Sequence, residues 1–394
     1  MTDNSSLRGL RVLISGAGVA GPALACWLTR YGATATVVEA APALRTSGFA
    51  VDFRGPTHLS VLEKMGVLDD LRAVQTHAGA MSCVDRDDRE IFRLPAEFAG
   101  GDLEVHRRDL SRILYEHSAS DAEYLFGDTI TNLTETAEGV EVDFARAASR
   151  TVDLVVGADG VHSGVRRIAF GPEADYVEHL GYYLASWDLP NDLGADETPR
   201  QYNEPGTMAS YSADLRDPTR AGALFIFASP LLDYDWHDLD QQKKLVADAF
   251  AGQTWHVPRL LRSLRDADEL YFDSICRVHV PDRCSGRVAL LGDAGSGASL
   301  GAMGVGAGVV GAYVLAGELA VAGGDHRVAF PAYQQRLRAY SARWQRHASP
   351  GEFMAPSTAT RLALRNAMFR RKFVRWLMVR GSTMLATDLD LPEY

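Results

Sequence analysis

The sequence predicts an α/β fold in which a parallel-sheet unit is interrupted by a mainly antiparallel sheet and followed by a helical segment, and three observations predict it. The chain opens as strand, glycine turn, helix, strand; its middle alternates apolar and polar positions every second residue; and a buried-type strand near residue 290 runs into a glycine-dense apolar stretch.

The opening unit is LRVLISG, then AGVAGPALACWLTRYG ended by Gly32, then ATATVVEA, the span of one βαβ element. Leu59, Leu62, Met65 and Leu68 recur at helical spacing and predict a helix over 57–75, with Gly66 near its end; a further helix is expected over 108–117. Between 126 and 157 the runs VEVDFA and VDLVVGAD predict strands separated by polar turns such as AEG. Residues 176–232 are equally strand-rich, as in YYLASWDLP, TMASYSADL and GALFIFASP. Helical stretches at 239–250 and 259–264 precede strands that resume at Ser274 and Arg287. This order assigns 1–75, 102–175 and 279–345 to one discontinuous nucleotide-type unit, 76–101 and 176–278 to the sheet unit, and 346–394 to a carboxy-terminal helical segment.

Composition narrows the function. With 394 residues the chain can bury a large core, and 40 Lys plus Arg against 51 Asp plus Glu give a net charge of -11, which repels phosphate backbones and excludes nucleic acid as the main partner. A small-molecule ligand is expected. Cys26, Cys83, Cys276 and Cys284 form no CxxC pair, so neither a disulfide framework nor a metal site is indicated. The apolar pattern beginning at Leu10 leaves no room for a leader, and a cytoplasmic location is expected. Residues 294–317 are uncharged and long enough to span a bilayer, but they are rich in Gly and Ala and are followed at once by Glu318, which predicts a tightly packed helix and no transmembrane segment. Residues 353–387 hold seven basic and no acidic residues. They read as a solvated or core-packed basic helix, with attraction to phosphate or a membrane surface as the alternative.

Three motifs carry the chemistry. In GAGVAG, Gly16 permits the tight turn, Gly18 lets the backbone approach a pyrophosphate, and Gly21 lets the helix pack on the strand, whose amino end then meets the phosphates. Glu39 ends the second strand, where an acid accepts from an adenosine ribose; Ala20 and Ala40, beside these elements, are assigned to the same ligand. The second motif, GADGVHSGVRR (157–167), is a polar turn leading into a helix; alone, it reads as Asp159 satisfying turn amides. The third, VALLGDAGSGASLGAMGVGAGVVGA (288–312), places Asp293 after Gly292, where it can accept from a ribitol or ribose hydroxyl. The amides of Gly304, Val305 and Gly306 follow at a helix amino end suited to negative charge.

In this order and spacing the motifs resemble the class A flavoprotein monooxygenases, the group around para-hydroxybenzoate hydroxylase and the tetracycline-inactivating and aromatic polyketide-tailoring enzymes, over residues 8–345. The family's Asp-Gly pair matches Asp159 and Gly160, its Gly-Asp pair matches Gly292 and Asp293, and its Arg-x-x-Leu element matches Arg107 to Leu110; the resemblance also places Arg45 and Asp52 along the cofactor. It implies a single Rossmann-like FAD-binding domain, with NADPH or NADH binding transiently as electron donor, in a monomer or homodimer. The flavin is then reduced, reacts with oxygen to a hydroperoxide and transfers one oxygen atom to an aromatic or polycyclic substrate under the sheet. The cofactor carries the hard chemistry, so no catalytic side chain is assigned. His106 and His162 are read as positioning or hydrogen-bonding groups. Phe225 and Phe227 share one face of their strand, either as sheet core or as a substrate-facing aromatic pocket.

The match has departures. Ser296 stands where relatives carry an aromatic residue, the loop after Asp293 is one residue shorter and reads SLGAMG without proline, and Gly311 replaces an Asp. The altered loop motivates an alternative in which FAD is a scaffold for a redox-neutral cyclisation or isomerisation. A third possibility is a non-enzymatic FAD-binding partner protein that docks through the basic tail. The absence of a WxWxIP segment disfavours a halogenase.

Overall fold

The computed structural model describes residues 6–44, 50–76, 79–96, 101–196, 198–214, 216–299, 304–345, 350–375 and 391–394. A six-stranded sheet runs in the order Cys284–Ser285, Val288–Leu290, Leu154–Gly157, Arg11–Ser15, Thr34–Glu39, Glu123–Phe126, and all its pairs are parallel except the first. Its central strands, such as LVVG and VAL, are buried along their whole length, as expected of a parallel sheet covered on both faces. Ser15 lies opposite Gly157 and Val38, and Gly157 opposite Leu290, so these strands end level at one edge.

Helix Ala20–Arg30 packs against helix Gly304–Val321, which in turn packs against His326–Gln345. Close approach requires small residues: a Cβ at Gly308 would lie 3.3 Å from that of Ala20. Helix Gly304–Val321 is long and apolar enough to cross a bilayer, but 78% of it is buried inside the protein, so its apolar character is explained by packing.

The helix expected over 57–75 is two helices, Gly55–Met65 and Leu68–Ala73. Gly66 adopts φ 77°, a left-handed cap that ends the first and redirects the chain. The helix expected over 108–117 is Arg107–Glu116.

The larger sheet has seven strands in the order Tyr271–Val278, Val177–Pro190, Arg220–Ala228, Thr207–Ala213, Arg200–Glu204, Met81–Val84, Glu90–Leu94. It is antiparallel apart from the pairing of Arg200–Glu204 with Met81–Val84. One face packs under helices Leu239–Ala249 and Val257–Asp266, with Tyr183, Trp187, Tyr211, Phe225 and Phe227 meeting Phe250 and Leu260. The opposite face carries Tyr182, Leu184, Met208, Ile226 and Ile275, which pack with Met354 and Ala355.

Arg365 in helix Ala359–Phe369 is buried, donating to the carbonyls of Phe353 and Met354 and to Asn203 Oδ1. At this position the basic segment is structural. Farther on, the Tyr394 ring packs against Gly317, and its hydroxyl donates to Glu318 Oε1 at 2.6 Å.

Candidate functional site

Gly16 follows strand Arg11–Ser15, Glu39 ends Thr34–Glu39, Asp159 follows Leu154–Gly157 and Asp293 follows Val288–Leu290. Because these strands are parallel neighbours, the sheet gathers the three sequence motifs at one carboxyl edge, where open α/β sheets bind ligands.

The glycines of the first turn differ in their reasons. Gly16 has φ 105°, and a Cβ there would lie 2.5 Å from the Ala158 carbonyl oxygen; one at Gly21 would lie 1.9 Å from the Gly16 oxygen. The fold itself demands both. A Cβ at Gly18 would meet nothing within 4 Å, and its φ is outside the left-handed region, so the protein alone does not require glycine there. The following helix has no side-chain cap at Val19, which leaves its first amides available to an anion.

Glu39 is fixed beside this turn, Oε2 accepting from Ala17 N at 2.8 Å and Oε1 from Ala41 N at 2.9 Å, with Ala40 exposed next to it. Arg45 lies outside the described residues. Asp52 sits on strand Ala50–Phe53, which pairs with Leu103–His106, and it forms an ion pair with Arg54. Burial pushes the Asp52 carboxyl up, against the pull of Arg54.

Asp159 is engaged by the protein: its carboxylate accepts from Ser163 Oγ, from Val165 N at 3.1 Å and from Ser15 Oγ at 3.2 Å. It braces the turn against the first strand, and Ser163 in turn caps helix Gly164–Ala169. Arg166, in that helix, is wholly buried and donates to Ala294 O at 3.0 Å and Val161 O at 2.6 Å, so it ties the second motif to the third. The ring nitrogens of His162 lie 3.1 Å from Asp273 and 2.9 Å from Glu173. Hydrogen bonding to these carboxylates raises its pKa to about 10, so His162 is an imidazolium and is not available as a general base.

The third motif differs again. The Asp293 carboxylate makes no hydrogen bond to any described residue, and burial pushes its pKa up while the Arg107 charge opposes that rise. Arg107, first in its helix, likewise has no hydrogen-bond or ion-pair partner among the described residues. An acceptor and a five-donor cation thus lie within each other's field, neither hydrogen-bonded to any described residue. Gly292 adopts φ 62°, and a Cβ there would lie 3.1 Å from that of Ala20, which joins this motif to the first helix.

Gly304, Val305 and Gly306 form the first turn of helix Gly304–Val321. Gly306 also has a packing reason, since a Cβ there would overlap the His58 ring at 2.3 Å. His58 is buried; its Nδ1 accepts from Arg54 N at 3.1 Å and its Nε2 lies 2.7 Å from the Tyr340 hydroxyl. Burial lowers its pKa to about 4, so the ring is neutral, with Nε2–H donating to Tyr340. Gly311 is also a packing position, its would-be Cβ 2.8 Å from Leu291 Cδ1. Ser296 is buried in the short helix Asp293–Ser296; the proline-free loop that follows falls partly on 300–303, outside the described residues.

Phe225 and Phe227 are corrected by the structure. Both are buried on the helix-covered face, with the Phe225 ring 4.3 Å from that of Phe250 and 4.8 Å from that of Trp187. They are sheet core, and Leu224 and Ile226 face the other way, with Tyr182, Leu184 and Tyr271. The sequence reading also missed the His58–Tyr340 pair, which no local pattern signals. The bridging role of Arg166 had only its place in the second motif as a clue.

Comparison with known proteins adds to this geometry. A family model described as FAD binding domain matches residues 9–190. An uncharacterised protein of Mycobacterium tuberculosis, Rv1260, is 41% identical over 342 residues, 85% of this chain and 91% of that protein. A flavin-dependent monooxygenase of Legionella longbeachae is 33% identical over 339 residues, 84% of this chain and 86% of that protein. The crystal structure of tetracycline destructase Tet(55) is 32% identical and aligns with a TM-score of 0.82 over 100% of both chains.

Proposed function

The chain belongs to the flavin-dependent monooxygenases, and from that premise we propose that it uses FAD and NADPH or NADH to insert one oxygen atom into an aromatic or polycyclic small molecule. The observation that carries this reading is the set of groups the protein leaves open at one sheet edge. These are the space at Gly18, the uncapped helix after it, and Asp293 and Arg107, neither of which is hydrogen-bonded to a described residue. A ligand with a pyrophosphate and a chain of hydroxyls suits all four at once.

In this reading FAD, when bound, supplies the oxygen chemistry. The amino end of helix Ala20–Arg30 holds its pyrophosphate, Glu39 its ribose, and Asp293 accepts from a sugar-chain hydroxyl. Arg107 offers donors to its anionic groups. Ala40 and, from the resemblance, Arg45 and Asp52 are assigned along the cofactor, whereas Asp159 braces the second motif against the first strand and Arg166 ties it to the third. The reading divides the chain into a cofactor unit (1–75, 102–175 and 279–345), a substrate unit (76–101 and 176–278) and a carboxy-terminal helical segment (346–394).

The test is an assay of the FAD-loaded protein with NADPH and NADH under isotopically labelled dioxygen. Substrate-dependent nicotinamide oxidation with one labelled atom in the product is expected. Retention of FAD without electron uptake from either donor, or turnover that proceeds unchanged without oxygen, would reject the reading in favour of redox-neutral chemistry.

A further inference from the structure

Behind the third motif, strand Val288–Leu290 and helices Gly304–Val321 and His326–Gln345 enclose a small cavity, walled among others by Arg283, Leu291, Gly292, Ser296, Tyr333 and Ser341. It meets helix Gly304–Val321 along the flank that carries Ala307 and Gly311, not at its first turn. Its free volume of about 10 Å³ is room for one small ion and for no organic ligand. Two departures singled out in the sequence, Ser296 for an aromatic residue and Gly311 for an Asp, both fall on its wall.

That wall holds a cation without a counter-charge. Arg283 is only 8% exposed, and its side chain makes no hydrogen bond or ion pair with any described residue. Its place is nonetheless fixed: its carbonyl accepts from Leu290 N at 2.8 Å, and a Cβ at Gly295 would lie 3.2 Å from Arg283 Cδ, so glycine there makes way for the stem. The neighbouring acid, Asp282, is exposed and accepts from Gln334 Nε2 at 3.2 Å. Tyr333 and Cys284 supply no negative charge, because burial pushes both upward, Cys284 to about 12, and the Tyr333 hydroxyl donates to Leu290 O at 2.9 Å. Arg338 adds charge of the same sign. A guanidinium keeps its proton even when buried, and a buried charge calls for a partner of opposite sign.

We propose that this cavity is a binding site for one monovalent anion of halide size, held by the Arg283 guanidinium behind the Gly292–Asp293 turn. The hydroxyls of Ser296 and Ser341, in the same wall, rotate to donate to it. The ion supplies the charge that the protein does not, and it ties the end of strand Val288–Leu290 to the two helices that cover it. An anion bound there stabilises the folded chain by mass action and has no counterpart in the unfolded one. The inference stands apart from the reaction proposed above, since neither oxygen nor a substrate enters it.

The test is thermal unfolding of the full-length protein in sodium chloride and in sodium gluconate at equal ionic strength. Chloride should raise Tm above gluconate by about 1–3 °C, saturating with concentration, and bromide should do the same. Arg283→Met, which keeps the length of the side chain and removes its charge, should unfold at one temperature in all three salts; Arg283→Lys, a point charge on a similar stem, should keep part of the increment. Crystals of the wild type soaked in bromide should show an anomalous peak in contact with the Arg283 guanidinium. Equal Tm of the wild type in chloride and gluconate overturns the inference, as does a bromide-soaked crystal with no peak at Arg283. A halide increment that survives Arg283→Met marks an adventitious ion only and overturns it as well. Should Arg283→Met fail to fold, the wild-type salt comparison and the bromide peak decide the matter without it.

Discussion

Gly18 and Gly21 of the first turn are glycine for different reasons, and alanine at each should separate ligand from fold. At Gly21 the new methyl would sit 1.9 Å from the Gly16 carbonyl oxygen, more than roughly 1.5 Å inside ordinary contact, and that neighbour is backbone. Relief requires opening the strand–helix junction, at a cost of about 3 kcal/mol and hence a fall in Tm of about 4 °C in a chain of 394 residues. At Gly18 the methyl meets no protein atom within 4 Å. Gly18→Ala should therefore leave the apoprotein as stable as before or firmer by about 0.4–1 kcal/mol, because the unfolded chain loses freedom. In the loaded protein the same methyl intrudes on the pyrophosphate seat at about 1–3 kcal/mol, a ~5- to 150-fold rise in the Kd for FAD. Thermal unfolding of the apoprotein and fluorescence titration with FAD measure the two effects separately. Gly18→Ala binding FAD like the wild type, or losing as much apoprotein stability as Gly21→Ala, would refute the assignment.

Three further outcomes are expected. His58, pushed down to about 4 by burial, stays neutral in the fold while the unfolded chain takes up a proton near 6.5. Stability should therefore rise from about pH 4 to 6.5 by on the order of 3 kcal/mol and then level; His58→Gln should flatten that slope in denaturant titrations at pH 4.5 and 7, and an unaltered slope assigns it to other groups. Arg166→Met leaves the carbonyls of Ala294 and Val161 without their donor and should cost about 3 kcal/mol with weaker FAD retention; an unchanged Tm contradicts the bridge. Phe225→Ala should lower stability by about 3–5 kcal/mol and leave substrate affinity unaltered, since its ring packs on Phe250; weaker substrate binding at full stability would return it to the pocket.

Much of the cofactor edge was legible because its signals are local. A glycine turn between a buried strand and a helix, with an acid closing the next strand, needs only adjacent residues to be read. The parallel sheet then brings distant copies of that pattern together, as Ser15 meets Gly157. The faces of the larger sheet were not legible in the same way. A two-residue period shows that Phe225 and Phe227 share a side, but which side lies under helices depends on residues 239–266, and the outcome is tertiary. His58 and Tyr340 are separated by 282 positions, and nothing near either foretells their pairing. The break at Gly66 was visible as a glycine, but the helical spacing resumes at Leu68 and hides it.

The order of the parallel strands also sets a timetable. Helix Ala20–Arg30 precedes its partner Gly304–Val321 and the neighbouring Asp293 by some 280 residues. At ribosomal rates of about 5–20 residues per second, the apolar flank of that first helix waits roughly 15–60 s for its cover. Pairings this remote in sequence make closure slow, and on the proposed assignment Asp293 joins the cofactor edge only some 270 residues after the first helix begins. The late helix, apolar on every side, is thus the cover for which the first helix waits.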